Sequence, residues 1–223
     1  MIKAIVFDYD GTLSNGVLFD YEALYDYFKR YFSDMGEMEY EAMIQDLNNS
    51  KIHSCGPQNF RYRCHQYLEK YQITEEMIVN LEAYWETEAF KFAKLRDNAL
   101  DVVKELRKKY KIGICTNGGA LRQHRKIEIC GLEPYIDSLT ISAEVGAHKP
   151  NIKMYQDVID KLHVEFNECV YIGDSFSGDV YGAYKCGMYP VWFNGNKDVT
   201  GGCDITKIYD LDELIPLVEK LDE

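Results

Sequence analysis

Five short apolar runs, each cut off by a polar cluster, constrain this chain more than any other feature. Ile2–Phe7, Ile112–Cys115, Ser138–Ile141, Cys169–Ile172 and Pro190–Phe193 are rich in Val, Ile and aromatic residues and are strand-sized. Runs of this kind suit strands covered on both faces, as in a parallel sheet. Helix-period patterns lie between the later ones, at Asp97–Tyr110, Leu121–Cys130, Ile152–Leu162 and Asp179–Cys186. Strand–helix alternation closes into right-handed βαβ units, so the expected class is α/β, a doubly wound parallel sheet.

The stretch from Gly16 to Lys94 breaks that rhythm. It offers no convincing strand and reads as amphipathic helices over Asp20–Phe32, Glu39–Leu47, Gln58–Tyr71 and Thr74–Phe92. The last opens on Thr74, Glu75, Glu76 and Met77, a capping-box-like start, and Asn48–Pro57 is the clearest loop. The predicted organisation is a sheet domain from residues 1–15 and 95–223, with residues 16–94 inserted as a helical domain.

A chain of 223 residues with 46% hydrophobic content has enough material for a substantial core. Its net charge of −12 provides no broad positive field, which argues against nucleic-acid polymers and membrane surfaces as partners. The N-terminus lacks signal-peptide features, and a cytoplasmic location is expected. The cysteines Cys55, Cys64, Cys115, Cys130, Cys169, Cys186 and Cys203 are scattered without metal-ligand spacing and read as reduced, mostly buried thiols.

Ligands of open parallel sheets bind beyond the carboxyl ends of the strands, and four of the five runs end in residues suited to chemistry. They are Asp8-Tyr9-Asp10-Gly11-Thr12, Thr116-Asn117-Gly118, Lys149-Pro150, and Gly173-Asp174-Ser175 with Asp179 following. Asp8 and Asp10 can divide labour: a carboxylate held ionised acts as nucleophile, and one with a raised pKa acts as acid and base. The plainer alternative is an Asp-Gly turn with solvated acids. Asp174 and Asp179 bring two further carboxylates, a donor set suited to a hard cation such as Mg²⁺, although each also suits a turn or a helix cap. Lys149 supplies compensating charge, while Thr116 and the backbone beside it are placed to hold phosphoryl oxygens.

In this order, VFDYDGTL, ICTNG, EVGAHKP and YIGDSFSGD resemble the four motifs of the haloacid dehalogenase superfamily. The helical insert after the first motif resembles the C1 cap of the subgroup containing phosphoglycolate phosphatase, pyrimidine 5′-nucleotidases and β-phosphoglucomutase. The resemblance implies a Rossmann-like core and a Mg²⁺-dependent phosphatase acting on a small phosphorylated metabolite, of the nucleoside monophosphate or sugar phosphate class. It implies that Asp8 becomes phosphorylated and that Asp10 protonates the leaving alkoxide and then activates water. Thr116, Asn117 and Lys149 would bind the phosphoryl group, with Mg²⁺ held by Asp8, the Asp10 carbonyl and Asp174, and Asp179 beside them.

Dehalogenation is disfavoured by Asp10, Asp174 and Asp179, and Thr12 favours hydrolysis over a mutase of the β-phosphoglucomutase type. A phosphate-binding protein without activity is the remaining alternative. The chain from Gly11 to Phe19 is expected to be flexible and to close over the leaving group. Asn15, His53, Gln58, Arg61 and Arg63 are candidate specificity contacts, each equally readable as a solvated surface group. The 18 tyrosines suit helix packing at least as well as base stacking. His148 is expected to be a rim residue, and neither Ser14 nor Ser175 has the partners of a serine nucleophile. The expected assembly is a monomer or homodimer.

Overall fold

The computed structural model describes residues 1–49, 61, 64, 65, 67–193 and 205–222. Six parallel strands form one sheet in the order β3-β2-β1-β4-β5-β6: β1 Ala4–Phe7, β2 Lys111–Thr116, β3 Ser138–Ile141, β4 Cys169–Gly173, β5 Tyr189–Phe193 and β6 Thr206–Ile208. Alternate residues of each strand face opposite sides, and both sides are covered. Ile5 and Phe7 pack with Ile112, Ile114, Val170 and Ile172 in one apolar cluster, while Ala4 and Val6 pack with Cys115, Met154 and Tyr171 in another. This double burial explains why the strands were legible as unbroken apolar runs.

β1 pairs with β2 on one side and β4 on the other, with Phe7 opposite Ile114 and Ile172. The chain winds outward from β1 in both directions, which makes the carboxyl end of β1 the topological switch point and the expected place for a ligand.

The described part of the segment after β1 is helical, with α1 at Gly16–Phe28, α2 at Glu37–Asn49, α3 at Leu68–Tyr71 and α4 at Glu75–Thr87, followed by a 3-10 turn at Ala89–Phe92. It has its own apolar cluster, including Leu24, Tyr27, Phe28, Tyr40, Met43, Ile78, Leu81, Tyr84 and Trp85. Thr74 caps α4 by accepting from the Met77 N–H at 3.2 Å, with Glu75 and Glu76 in the first turn where the helix dipole favours acids. α1 begins four residues before the expected Asp20. The expected loop at Asn48–Pro57 starts inside α2, and its remainder lies outside the described residues.

The remaining helices cover the sheet: α5 Ala99–Leu106, α6 Ala120–Ile129, α7 Ser142–Val145, α8 Ile152–Leu162, α9 Gly182–Cys186 and α10 Leu214–Asp222. The helix expected from Asp179 begins earlier, as a π-helical stretch over Phe176–Tyr181 that runs into α9. Among the described residues Cys64, Cys115, Cys130, Cys169 and Cys186 are free thiols; Cys55 and Cys203 lie outside them. No helix of the described residues is long and apolar enough to cross a membrane.

Candidate active site

The end of β1 delivers Asp8 into a closely bonded group. Its backbone N–H still donates to Ile172 O at 2.8 Å, so the side chain is held by the sheet itself. Asp8 Oδ1 accepts from Lys149 Nζ at 2.6 Å, and Oδ2 accepts from the Thr12 hydroxyl at 3.1 Å. Lys149 Nζ also donates to Asp179 Oδ1 at 2.6 Å and to Cys115 O at 3.0 Å, with its side chain only 4% exposed. An ammonium buried this deeply requires its anions. Lys149 therefore knits the ends of β1, β2 and the π-helical stretch into one unit.

Asp8, Asp174 and Asp179 each present a carboxylate oxygen within 4.8 Å of the others. Asp179 is fixed on several sides: Oδ2 accepts from the Ser175 N–H at 3.0 Å, and Oδ1 also accepts from the Tyr171 hydroxyl at 3.3 Å. Two glycines make the cluster possible. A Cβ on Gly173 would overlap the Asp179 side chain, and one on Gly11, which sits at φ +93°, would overlap the Asp174 carboxylate. Burial pushes the Asp8 carboxyl well above its ordinary range, and the charges of Asp179 and Asp174 add to this against the opposing pull of Lys149. Asp174 reaches solvent at the mouth but is crowded by protein; that desolvation, with the Asp179 charge, pushes it up to about 6.

Asp10 faces elsewhere. Its Oδ1 accepts from Lys126 Nζ at 2.8 Å and its Oδ2 from Gln123 Nε2 at 3.0 Å, so its carboxylate lies against α6, apart from the three-acid cluster. Burial alone would raise its pKa, but Lys126, followed by Arg122 and Gln123, outweighs burial and holds it below the ordinary range. The direction is opposite to the raised value expected for the second acid of the pair: Asp8 is raised and Asp10 is lowered. The reason is the cationic face of α6, which the sequence reading left out.

Thr116, 1% exposed, accepts from the same Gln123 amide at 2.7 Å, so Gln123 joins the Asp10 carboxylate to the Thr116 hydroxyl. The Asn117 side chain accepts from the Lys149 backbone N–H at 2.9 Å, and the Gly118 N–H donates to Ser142 Oγ at 2.9 Å. Asn117 thus anchors the lysine loop, and α7 anchors the turn after β2.

Arg122, Gln123 and Lys126 were missed by sequence reasoning because polar residues on a helix read as solvated. The signal was their spacing: with Ile127 they fill positions i, i+1, i+4 and i+5, one stripe of α6, and all are buried. A stripe that is both inward and charged marks a face turned toward a polar site.

Other candidates take lesser places. Arg61 is engaged within the helical segment by Glu75 at 2.7 Å and Glu82 at 3.3 Å, while His53, Gln58 and Arg63 lie outside the described residues. His148 is exposed and Asn15 half-buried. Ser175 accepts from the Gly178 N–H at 3.1 Å as a helix cap, and the Ser14 hydroxyl donates to Tyr9 O at 3.3 Å. Along the chain from Gly11 to Phe19, which is expected to be flexible, Arg96 donates to the carbonyls of Thr12 and Gly11 at 3.0 and 2.8 Å, Thr12 to Ser14 are buried, and α1 begins at Gly16.

Comparison with known proteins yields a consistent picture. A model of the haloacid dehalogenase-like hydrolase family matches residues 2–187. The chain is 28% identical over 206 residues to glyceraldehyde 3-phosphate phosphatase of Methanopyrus kandleri, covering 88% of this chain and 86% of that one. Against the protein of the same name from Methanothermobacter thermautotrophicus the identity is 29% over 134 residues, spanning 56% of this chain and 59% of that one. With N-acylneuraminate-9-phosphatase of Mus musculus it is 31% over 111 residues, 49% of this chain and 45% of that one. The fold is shared with the HAD hydrolase YfnB of Bacillus subtilis, solved bound to magnesium, at a TM-score of 0.81 and 19% identity over 97% of this chain and 98% of that one.

Proposed function

The chain belongs to the haloacid dehalogenase-like hydrolase family, and from that premise we propose that it is a Mg²⁺-dependent phosphatase working through an aspartyl phosphate. Its substrate is a small phosphate monoester of the sugar phosphate or nucleoside monophosphate class. The phosphatases named among its relatives support the reaction type. The observation that carries the reading is the placing of Asp8, held by Lys149 and Thr12, at the switch point of the sheet beside Asp174 and Asp179.

Asp8 supplies the nucleophilic oxygen, and its attack in line on phosphorus forms the acyl phosphate as the P–O bond to the leaving alkoxide breaks. Lys149 stays against Asp8 and offsets negative charge that gathers as the phosphoryl group arrives. The Thr116 hydroxyl, oriented by Gln123, and the Asn117-anchored lysine loop hold the phosphoryl oxygens. Asp10 handles the proton on the leaving oxygen and then the one on water, and Lys126 and Gln123 fix the direction its carboxylate faces. To act as the acid, Asp10 has to carry a proton when the leaving oxygen departs, against the lowering influence of Lys126.

The three-carboxylate cluster suits a hard divalent cation. Its donors are all oxygen, and the raised carboxyls of Asp8 and Asp174 mark a place where Lys149 alone leaves negative charge under-compensated. Asp8 and Asp174 would hold Mg²⁺, with the Asp10 backbone carbonyl, and Asp179, occupied by Lys149 and Ser175, would sit behind them. When bound, Mg²⁺ supplies Lewis-acid stabilisation of charge on the phosphoryl oxygens. Residues 16–94, with their separate apolar cluster, act as the cap that excludes water and selects the leaving group.

The test is release of inorganic phosphate from glyceraldehyde 3-phosphate, sugar phosphates, nucleoside monophosphates and p-nitrophenyl phosphate, with and without Mg²⁺. Asp8→Asn serves as the control. Mg²⁺-dependent release that Asp8→Asn lowers by at least ~10³-fold is expected. Release that survives in the variant would remove Asp8 as nucleophile.

A further inference from the structure

One charged contact joins the helical segment to the sheet domain beside the site. Glu86, near the end of α4, accepts from Arg122 NH1 at 2.8 Å. The Arg122 side chain is 5% exposed, and that of Glu86 31%. A guanidinium so buried in the first turn of α6 needs an anion, and this one comes from the other side of the boundary between two apolar cores.

Gly119 has φ −70° and ψ 139°, a conformation open to any residue, so its lack of a side chain is not a matter of torsion angles. A Cβ there would overlap the Glu86 carboxylate where it now lies, so the glycine leaves that carboxylate its place against Arg122. The same guanidinium lies over the turn after β2, where a Cβ on Gly118 would meet Arg122 NH2 at 3.2 Å. Its neighbour Gln123 spans Asp10 and Thr116. Among the described residues, the buried Arg122 Nε–H has no partner.

We propose that the Glu86–Arg122 pair, seated over Gly119, is the pin that registers the helical segment on the sheet domain, making both residues positioning residues for the leaving group. This rests on the phosphatase reading and deepens it. A substrate whose leaving group reaches the helical segment depends on the pin. One that presents little beyond its phosphoryl group is served by the sheet domain alone.

Glu86→Gln removes the anion and leaves Arg122 in place. Gly119→Ala keeps both charges and displaces the Glu86 carboxylate from its place against Arg122. For both variants kcat and KM would be measured with acetyl phosphate and with a sugar phosphate or nucleoside monophosphate that the wild type hydrolyses. Hydrogen exchange over residues 75–92 would be followed in parallel.

The expected result is a loss of about tenfold in kcat/KM for the extended substrate, carried mainly by KM, with acetyl phosphate changed less than about twofold. Faster exchange over 75–92 should accompany it in both variants. Equal losses on the two substrates, or unchanged exchange, would overturn the pin. Were the wild type to release phosphate from no compound, the phosphatase reading would fail, while the exchange comparison would still decide whether the pair registers the segment.

Discussion

The sheet domain and the helical segment bury polar groups by opposite rules. In the sheet domain the buried charges Asp8, Lys149 and Asp179 contact one another, and the next group along, Asp10 with Lys126, is built the same way. Among the described residues of the helical segment, several tyrosines place their rings in the core and their hydroxyls at its rim. Tyr27 donates to Met77 O at 2.6 Å, Tyr71 to Asp46 at 2.6 Å and Tyr84 to Asp26 at 2.8 Å. Charges that meet inside protein are costly to isolate, whereas a hydroxyl at the rim satisfies itself for about 1 kcal/mol. Damage to the first region should therefore register in chemistry and damage to the second in stability.

The strongest challenge to this division is Asp10→Asn. It should lower kcat for alkyl phosphates by about 10²- to 10⁴-fold, while the first-turnover burst from p-nitrophenyl phosphate, whose leaving group needs no proton, changes far less. A burst slowed as much as alkyl phosphate turnover would assign Asp10 a structural part and blur the contrast. Next comes Leu81→Ala, which empties a fully buried position of the helical segment. A cost of about 2 to 5 kcal/mol in urea unfolding is expected, with turnover of acetyl phosphate preserved well below the melting temperature.

How far the sequence alone could anticipate this division depends on which residues are considered. Asp8, Asp10, Thr116 and Asp174 stand out in the sequence because each closely follows a doubly buried strand, where the apolar run stops; Lys149 lies farther on, beyond the short helix Ser142–Val145. Gln123 and Lys126 do not stand out, since a helix shows its inward face only after its packing partner is known. β6 was missed because Thr206-Lys207-Ile208 is a half-covered edge strand with one buried residue, too short to show a period. α10 buries Leu214 and Val218 but lies beyond the last strand recognised, where no alternation remained to flag it. The pin between Glu86 and Arg122 joins residues 36 apart, with no local pattern to announce it.

Two smaller tests sharpen the comparison. Asp137, at the amino end of the sheet, accepts from Arg107 at 2.6 Å and from the Ile112 N–H at 2.8 Å. Burial pushes its carboxyl up, but the Arg107 hydrogen bond and the Ile112 N–H outweigh it, and the net position is below the ordinary value. A carboxyl lowered on folding contributes stability above its unfolded value near 4 and loses it as pH falls through the folded one. Asp137→Asn should cost about 1.5 kcal/mol at pH 7 and progressively less below pH 4, read from urea midpoints across that range. Tyr84→Phe should cost about 1 kcal/mol and leave kcat unaltered, which would place that rim hydroxyl outside the chemistry; a loss of turnover would extend the site into the helical segment.

The helical segment leaves and rejoins the sheet domain at a single doorway. Ser14 bridges to Leu95, the Arg96 N–H donates to Leu13 O at 2.9 Å, and the Arg96 guanidinium holds the carbonyls of Gly11 and Thr12. Because the two crossings are already paired, a short turn can replace everything between them at little loop-closure cost. The lintel formed by Arg96 would still hold the Asp10 turn in place. The doorway thus fixes where any chain inserted there must begin and end, and such a chain would also have to supply Arg122 with an anion in place of Glu86.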